Sequence, residues 1–279
     1  MKTVTTVTEA KGIIGQWKKE GRSIGFVPTM GYLHEGHGSL ISRAAENDKV
    51  VVSIFVNPMQ FGKNEDLGSY PRDFKKDCEL CQSLGVDLVF HPDPSELYTP
   101  EFHSFVDMSV LTQNLCGKSR PGHFRGVCTV VNKLFNIVKP DKAYFGEKDA
   151  QQLAIVKRMV QDLNMDVEII GCPIVREPDG LAKSSRNTYL NREERKAALV
   201  LSKAVNNAEI MVKRGETDSK AVTSAMAEII QGEPLARIDY VTAVNSLTME
   251  DTDIIKPQTL IAIAVYIGKT RLIDNLIVK

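Results

Sequence analysis

Short β-rich runs alternate with helical patterns through the first 171 residues, and that alternation leaves few folds open. A strand that returns parallel to its neighbour needs a crossover of about a dozen residues or more, usually a helix, so the pattern reads as βαβ units. IGFVP (24–28) reads as a strand and SLISRAAEND (39–48) as the helix that follows it. VVSIFV (51–56) has the continuous apolar character of a strand covered on both faces. The next helix has Pro71 near its first turn and Gly85 just past its last, the expected asymmetry of helix ends. VDLVF (86–90), a helix from about Gly126 to Val138, KAYFG (142–146), a helix from about Ala150 to Asn164, and VEIIG (167–171) continue the series. The expectation is an α/β domain over residues 1–174, built on a Rossmann-like, doubly wound parallel sheet.

Past Cys172 the pattern changes. VREPDGLAKSSRNTYLN is a polar connector, followed by two long helical patterns (192–214 and 218–231) and two strand-like runs, RIDYVTAV (237–244) and TLIAIAVYIG (259–268). Residues 175–279 therefore read as a smaller α+β domain. Lys plus Arg and Asp plus Glu each total 35, so no global field favours nucleic acid or an anionic membrane surface, and any anion site must be local. The N-terminus lacks the pattern of a signal peptide, no window approaches a membrane span, and the expected location is cytoplasmic. Five cysteines, an odd number in a chain this long, favour reduced thiols; Cys78 and Cys81 form a C-x-x-C on a helical segment with no second ligand pair.

Neither the dinucleotide fingerprint G-x-G-x-x-G nor the Walker-type G-x-x-x-x-G-K-[ST] occurs, so phosphate needs another cradle. PTMGYLHEGH (28–37) supplies one. It joins a strand's end to a helix's start, where unpaired N–H groups and the helix dipole favour negative charge. Gly31 and Gly36 are expected to allow tight turns, while His34 and His37 face one way and offer ring N–H donors to phosphate oxygens. The alternatives are a pair of surface histidines or half of a metal site. FGEKDAQQ (145–152) repeats the placement, with Gly146, Lys148 and Asp149 in a turn into a helix: a lysine for phosphate and a carboxylate for ribose hydroxyls, or a capping turn with solvated charges. Lys183, Ser184, Ser185 and Arg186 set two hydroxyls between two cations, suited to an oxyanion on a closing flap, or form an ordinary basic loop. RPGHFRGV (120–127) is a substrate contact or a loop tied down by Phe124. Gln60 and Gln152 suit the orientation of a small polar substrate, with Pro28, Met30 and Met59 as an apolar wall.

PTMGYLHEGH, FVNPMQFG, YPRD, LCGKSRPGHFRGVCTVV, FGEKDAQQLA, DGLAKSSRN and TRLIDN, in this order and nearly end to end, resemble the pantoate–β-alanine ligases, also called pantothenate synthetases. The resemblance implies a nucleotidyltransferase domain related to class I aminoacyl-tRNA synthetases, a C-terminal lid domain and a homodimer, for which TLIAIAVYIG is a candidate contact. It implies activation of pantoate by ATP with Mg2+ to a pantoyl adenylate, then attack by β-alanine to give pantothenate and AMP. By position, Met30, Gly31, Tyr32, Leu33, His34, Glu35, Gly36 and His37 resemble the first ATP-binding segment, with His37 as proton donor. Gly146, Glu147, Lys148, Asp149, Val175 and Lys183 to Arg186 match the rest of the ATP site, with Lys148, Ser184, Ser185 and Arg186 as catalytic groups. Gln60 and Gln152 match the pantoate and β-alanine contacts.

Three positions depart from the family pattern: Lys183 and Gly38 stand where an apolar residue is usual, and Lys76 replaces one of two carboxylates after YPR. Asp77 is then the remaining candidate magnesium residue, with the ion held mainly by ATP oxygens and water. Two other functions stay open on sequence: an adenylyltransferase of the same fold, and a non-catalytic ATP- or zinc-binding module using His34 and His37.

Overall fold

In a computed structural model, residues 1–63 and 65–279 are described, and the chain divides into two compact units. The first comprises Met1–Met108, Arg120–Glu147 and Ile155–Pro173; the second comprises Ser109–Ser119, Lys148–Ala154 and Ile174–Lys279.

The first unit contains a six-stranded sheet of β1 (Lys2–Val4), β2 (Ile24–Thr29), β3 (Lys49–Ile54), β4 (Leu88–Phe90), β5 (Lys142–Gly146) and β6 (Glu168–Cys172). The order is β1-β4-β3-β2-β5-β6 and every pair is parallel. From β2 the chain adds β3 and β4 on one side, then returns to add β5 and β6 on the other. The switch point lies between β2 and β5, where Phe26 is in register with both Val51 and Ala143. Helices α1 (Val7–Lys19), α2 (Glu35–Ala44), α3 (Phe74–Ser83), α4 (Pro94–Leu97) and α6 (His123–Val138) lie in this unit, α5 (Leu115–Ser119) falls in the second unit, and α7 (Ala150–Asp162) belongs to the second unit up to Ala154 and to the first from Ile155. The doubly wound reading therefore holds. Val27, Val50, Val52, Ile54 and Val89 of the sheet are buried together with Leu40, Ile41 and Ala44 of α2. That apolar spacing leaves the other face of α2 to solvent.

The sequence pattern assigned no element before Ile24. Yet Thr6 caps α1 and forms a reciprocal capping box with Glu9, a signal present in the sequence as T-x-x-E. Gly12 and Gly15 inside α1 dilute its helical pattern. α2 begins four residues before the expected Ser39, because His34 caps it. α3 likewise starts at Phe74, capped by Asp73, rather than at Pro71.

The second unit carries α8 (Arg192–Ala197), α9 (Leu199–Lys213), α10 (Ser219–Gln231) and an antiparallel sheet, β7 (Ala236–Asn245), β8 (Thr259–Ile267) and β9 (Thr270–Ile277), in that order. The expected 192–214 helix is broken at Ala198, and the third strand was not anticipated. β8 is the central strand, and its residues from Leu260 to Val265 are at most 5% exposed within the single chain. Its apolarity serves the core, so it is not the exposed face a dimer contact would need. No helix among the described residues is long and apolar enough to cross a membrane.

Candidate active site

Three strand ends in the first unit carry the candidate residues: β2 runs into PTMGYLHEGH, β3 into the segment bearing Gln60, and β5 into Gly146 and Glu147. Open α/β sheets bind ligands at the carboxyl ends of their strands beside the switch point, and β2 and β5 flank it here.

The turn after β2 is held in a demanding conformation. Gly31 has φ +83° and Tyr32 φ +52°, and a Cβ on Gly31 would lie 2.9 Å from Ile54 Cγ2 and 3.0 Å from Asp77 Oδ2. Only glycine fits there. Gly36 needs no such freedom; it sits in the first turn of α2. Asp77, 2% exposed on α3, accepts the Tyr32 amide on Oδ2 (2.9 Å) and the Leu33 amide on Oδ1 (2.6 Å). Burial raises its carboxyl above the ordinary value, against the lowering effect of those two amides.

Asp77 therefore does not fit the expected magnesium role. Both of its oxygens are committed to main-chain donors, and no cluster of three or more His, Cys, Asp or Glu side chains suited to a metal occurs among the described residues.

His34 is the N-cap of α2, and the histidine pair forms a capping box of its own. His34 Nδ1 accepts the Gly36 amide (3.1 Å), and His37 Nδ1 accepts the His34 amide (3.2 Å). The rings lie 4.1 Å apart with a 39° tilt. An accepting Nδ1 places the proton of a neutral ring on Nε2, so both imidazoles are fixed as Nε2–H donors at a helix start. The three-residue spacing thus serves as cap and third helical residue, a geometry that spacing alone did not reveal.

Gln60 is 9% exposed, and its amide orientation is set from behind. Asn57 Nδ2 donates to Gln60 Oε1 and to the Gly126 carbonyl, both at 3.1 Å, while Asn57 Oδ1 accepts the Tyr98 hydroxyl at 2.8 Å. The Gln60 Nε2 group points to Met30 Sδ at 3.1 Å, which brings Met30 and Gln60 together. Gly126 lets α6 press directly on this segment: a Cβ there would lie 2.7 Å from Gln60 Cα. Asn57, Tyr98 and Gly126 were not anticipated as site residues. Asn57 stood inside the quoted FVNPMQFG, but its importance comes from contacts 41 and 69 residues away in sequence.

RPGHFRGV proves to be a brace for the same loop. Arg120 grips Glu65 with two bonds of 2.6 Å, and His123 Nδ1 lies 2.8 Å from the Gln60 carbonyl. Burial alone would raise the Glu65 carboxyl, but the Arg120 hydrogen bonds and charge outweigh it and hold it below its usual range. The C-x-x-C pair is unsuited to thiolate chemistry, since burial pushes Cys81 up to about 12.

The remaining candidates belong to the second unit. Lys148 Nζ lies 3.5 Å from Asp149 Oδ2. Gln151, 5% exposed, commits its amide to the Leu111 and Asn114 carbonyls (2.8 Å each) and the Gly117 amide (3.3 Å). Its neighbour Gln152 is half-buried. Val175 accepts the Lys183 amide at 2.9 Å across a hairpin whose turn is Glu177 to Gly180, with Gly180 at φ +96°. Ser184 then caps the 3₁₀ turn Ser185–Tyr189, its hydroxyl accepting the Arg186 amide at 3.3 Å, and Ser185 is buried.

The comparisons with known proteins identify the family. The family model described as pantoate-beta-alanine ligase matches residues 2–277. A pantothenate synthetase of Ruminiclostridium cellulolyticum is 66% identical, covering 99% of this chain and 98% of that protein. The crystal structure of pantothenate synthetase from Thermus thermophilus superposes with a TM-score of 0.94 at 45% identity, covering 99% of both chains. That of the pantoate-beta-alanine ligase from Francisella tularensis, complexed with beta-gamma ATP and beta-alanine, gives 0.82 at 36% identity, covering 99% of this chain and 97% of that one. Matched over residues 2–277 by the family model and 66% identical to a curated relative over nearly its whole length, the chain belongs to the pantoate-beta-alanine ligase family.

Proposed function

We propose that this protein joins pantoate to β-alanine through an amide bond in a reaction driven by ATP, releasing AMP and pyrophosphate. It is an enzyme of the amide-forming ligase type. The observation that carries the reading is the histidine-capped start of α2 beside the oriented Gln60, at the switch-point end of the sheet.

The first step needs position and charge stabilisation rather than a base, because pantoate's carboxylate is already a nucleophile. Its oxygen attacks the α-phosphorus, the bond from that phosphorus to the bridging oxygen breaks, and pyrophosphate leaves. His34 and His37, each an Nε2–H donor, stabilise charge on the phosphate oxygens, and His37 serves the leaving group. Met30 to His37, with Gly146 and Glu147, line the nucleotide. Lys148, Asp149, Val175 and Lys183 to Arg186 are assigned to ATP by the match of their positions to the family's motifs, with Lys148, Ser184, Ser185 and Arg186 acting on developing phosphate charge. Gln60 and Gln152 orient pantoate. In the second step the amine of β-alanine attacks the acyl carbon and AMP departs. Magnesium would accompany the nucleotide, held chiefly by ATP oxygens and water, and would offset phosphate charge. The first unit is the nucleotide and pantoate domain, and the second acts as a lid that protects the adenylate from water. A homodimer in the cytoplasm completes the reading.

Pantoate-dependent exchange of labelled pyrophosphate into ATP tests it, followed by stoichiometric AMP and pantothenate once β-alanine is added. Folded protein that shows no exchange would overturn it. Pyrophosphate release without AMP, on addition of a nucleotide or phosphopantetheine acceptor, would point to an adenylyltransferase instead.

A further inference from the structure

Two successive side chains of β9 reach two separate segments of the second unit. Asn275, 6% exposed, donates Nδ2 to the Lys148 carbonyl at 2.9 Å. Asp274, 2% exposed, receives the Arg176 guanidinium on both oxygens, at 2.7 and 3.0 Å, and its Oδ1 also accepts the Asn275 amide at 2.8 Å. Adjacent residues of a strand point to opposite faces, so one strand serves both directions.

A buried ion pair is weak evidence for stability, since apolar replacements of similar volume are often as stable or more so. The burial of Asp274 and Asn275 in a strand otherwise rich in Leu and Ile therefore asks for another reason. Their partners supply one. Arg176 opens the hairpin that bridges to Ala182, and it also donates to the Gly180 carbonyl at 3.1 Å. Fixing Arg176 fixes the point from which Lys183 to Arg186 leave, while fixing the Lys148 carbonyl fixes the root of the Lys148 side chain.

We propose that Asp274 and Asn275 are positioning residues of the adenylation step: β9 anchors Lys148 through Asn275, and the hairpin delivering Lys183 to Arg186 through Asp274. The proposal rests on the reading that Lys148 and this tetrad contact ATP. Asn275 acts through the backbone of Lys148, and Asp274 acts through the side chain of Arg176, which heads the hairpin leading to the tetrad.

The test is a pair of double-mutant cycles on the full-length enzyme, read as the KM for ATP and the rate of pantoate-dependent pyrophosphate exchange. Asn275→Asp keeps the size of the side chain, removes the donor and sets a carboxylate against a carbonyl. With Lys148 present it should raise the KM for ATP about tenfold, and in the Lys148→Ala background less than about twofold, because contacting networks are non-additive. Asp274→Asn should show the same dependence on Arg186 against Arg186→Ala. Melting temperature should fall equally in both backgrounds, which separates positioning from plain stability. Asn275→Ser replaces the Asp form if that variant fails to fold. Equal losses in both backgrounds, or no loss, would overturn the proposal while leaving the ATP assignment intact. An unchanged KM for ATP in Lys148→Ala alone would instead overturn that assignment, and the proposal with it.

Discussion

The Leu33 amide donates to Asp77 Oδ1 at 2.6 Å, and this bond ties the turn after β2 to a helix 44 residues further along the chain. With the Tyr32 amide on the other oxygen, it stabilises a left-handed backbone at Tyr32 that a non-glycine residue rarely adopts. The histidine-capped start of α2 is presented from that turn. Asp77→Asn leaves a single acceptor oxygen and turns an NH2 toward an amide donor. A buried donor left unsatisfied costs about 1–3 kcal/mol. Pyrophosphate exchange should fall at least about tenfold while far-ultraviolet circular dichroism stays native. Full exchange activity in a folded variant would rule out the clamp.

Capping and chemistry can be separated at His34. Aspartate is a strong N-cap, so His34→Asp should keep α2 in place with a melting temperature close to that of the parent. It loses the Nε2–H donor, and exchange should drop by about 10²-fold. Unimpaired exchange would show that the ring serves only to cap.

The same chemical change should have opposite signs at two glycines. At Gly12, in α1, a Cβ meets nothing within 4 Å, and Gly12→Ala should stabilise by about 1 kcal/mol. At Gly126 it would collide with the backbone of Met59 and Gln60, so Gly126→Ala should destabilise by about 1–3 kcal/mol and raise the KM for pantoate. Urea titrations of both variants, with KM for the second, check the pair.

Two carboxylates should bend the pH dependence of stability in opposite ways. Glu65 is held below its usual value, so its contribution is present above about pH 4.3 and is lost as pH falls through its lowered folded value. Asp77 is raised, so its contribution is fully present below its unfolded value of about 3.9 and is lost as pH rises through the folded one. Glu65→Gln should therefore flatten the acid loss of stability, and Asp77→Asn should steepen it, in urea midpoints measured between about pH 6 and 3.5. Changes of the same sign in both variants would contradict these environments.

The strands were legible where an apolar run could bury only one way: VVSIFV (51–56), with the continuous apolar character of a doubly covered strand, overlaps β3 from Val51 to Ile54, and KAYFG coincides with β5. β9 was missed because its inward positions include Asp274, which reads as polar until Arg176 is known to meet it. α1 was missed because two glycines obscure a helix that Thr6 and Glu9 nonetheless announce. In the candidate site, His34 and His37 stood out as candidates from residue type and place in the chain, whereas Gln60 drew its weight from the neighbouring clusters and the family resemblance. Asn57, Tyr98 and Gly126 were not legible, since each acts through a contact remote in sequence.

The sequence by itself determined the alternation of strand and helix, and with it the parallel sheet, because hydrophobic periodicity is a local property that survives without knowledge of partners. It also placed the phosphate-type turn at the end of a strand. Only the tertiary structure decided what Asp77 does, since a carboxylate's role depends on which groups face it: the sequence offered a metal ligand, and the fold supplies two main-chain amides. It likewise decided that the two histidines cap a helix while presenting Nε2, and that an apolar strand which could have met another copy is buried within the chain. Those outcomes turn on long-range contacts, whose energies depend on burial and direction that no local pattern records.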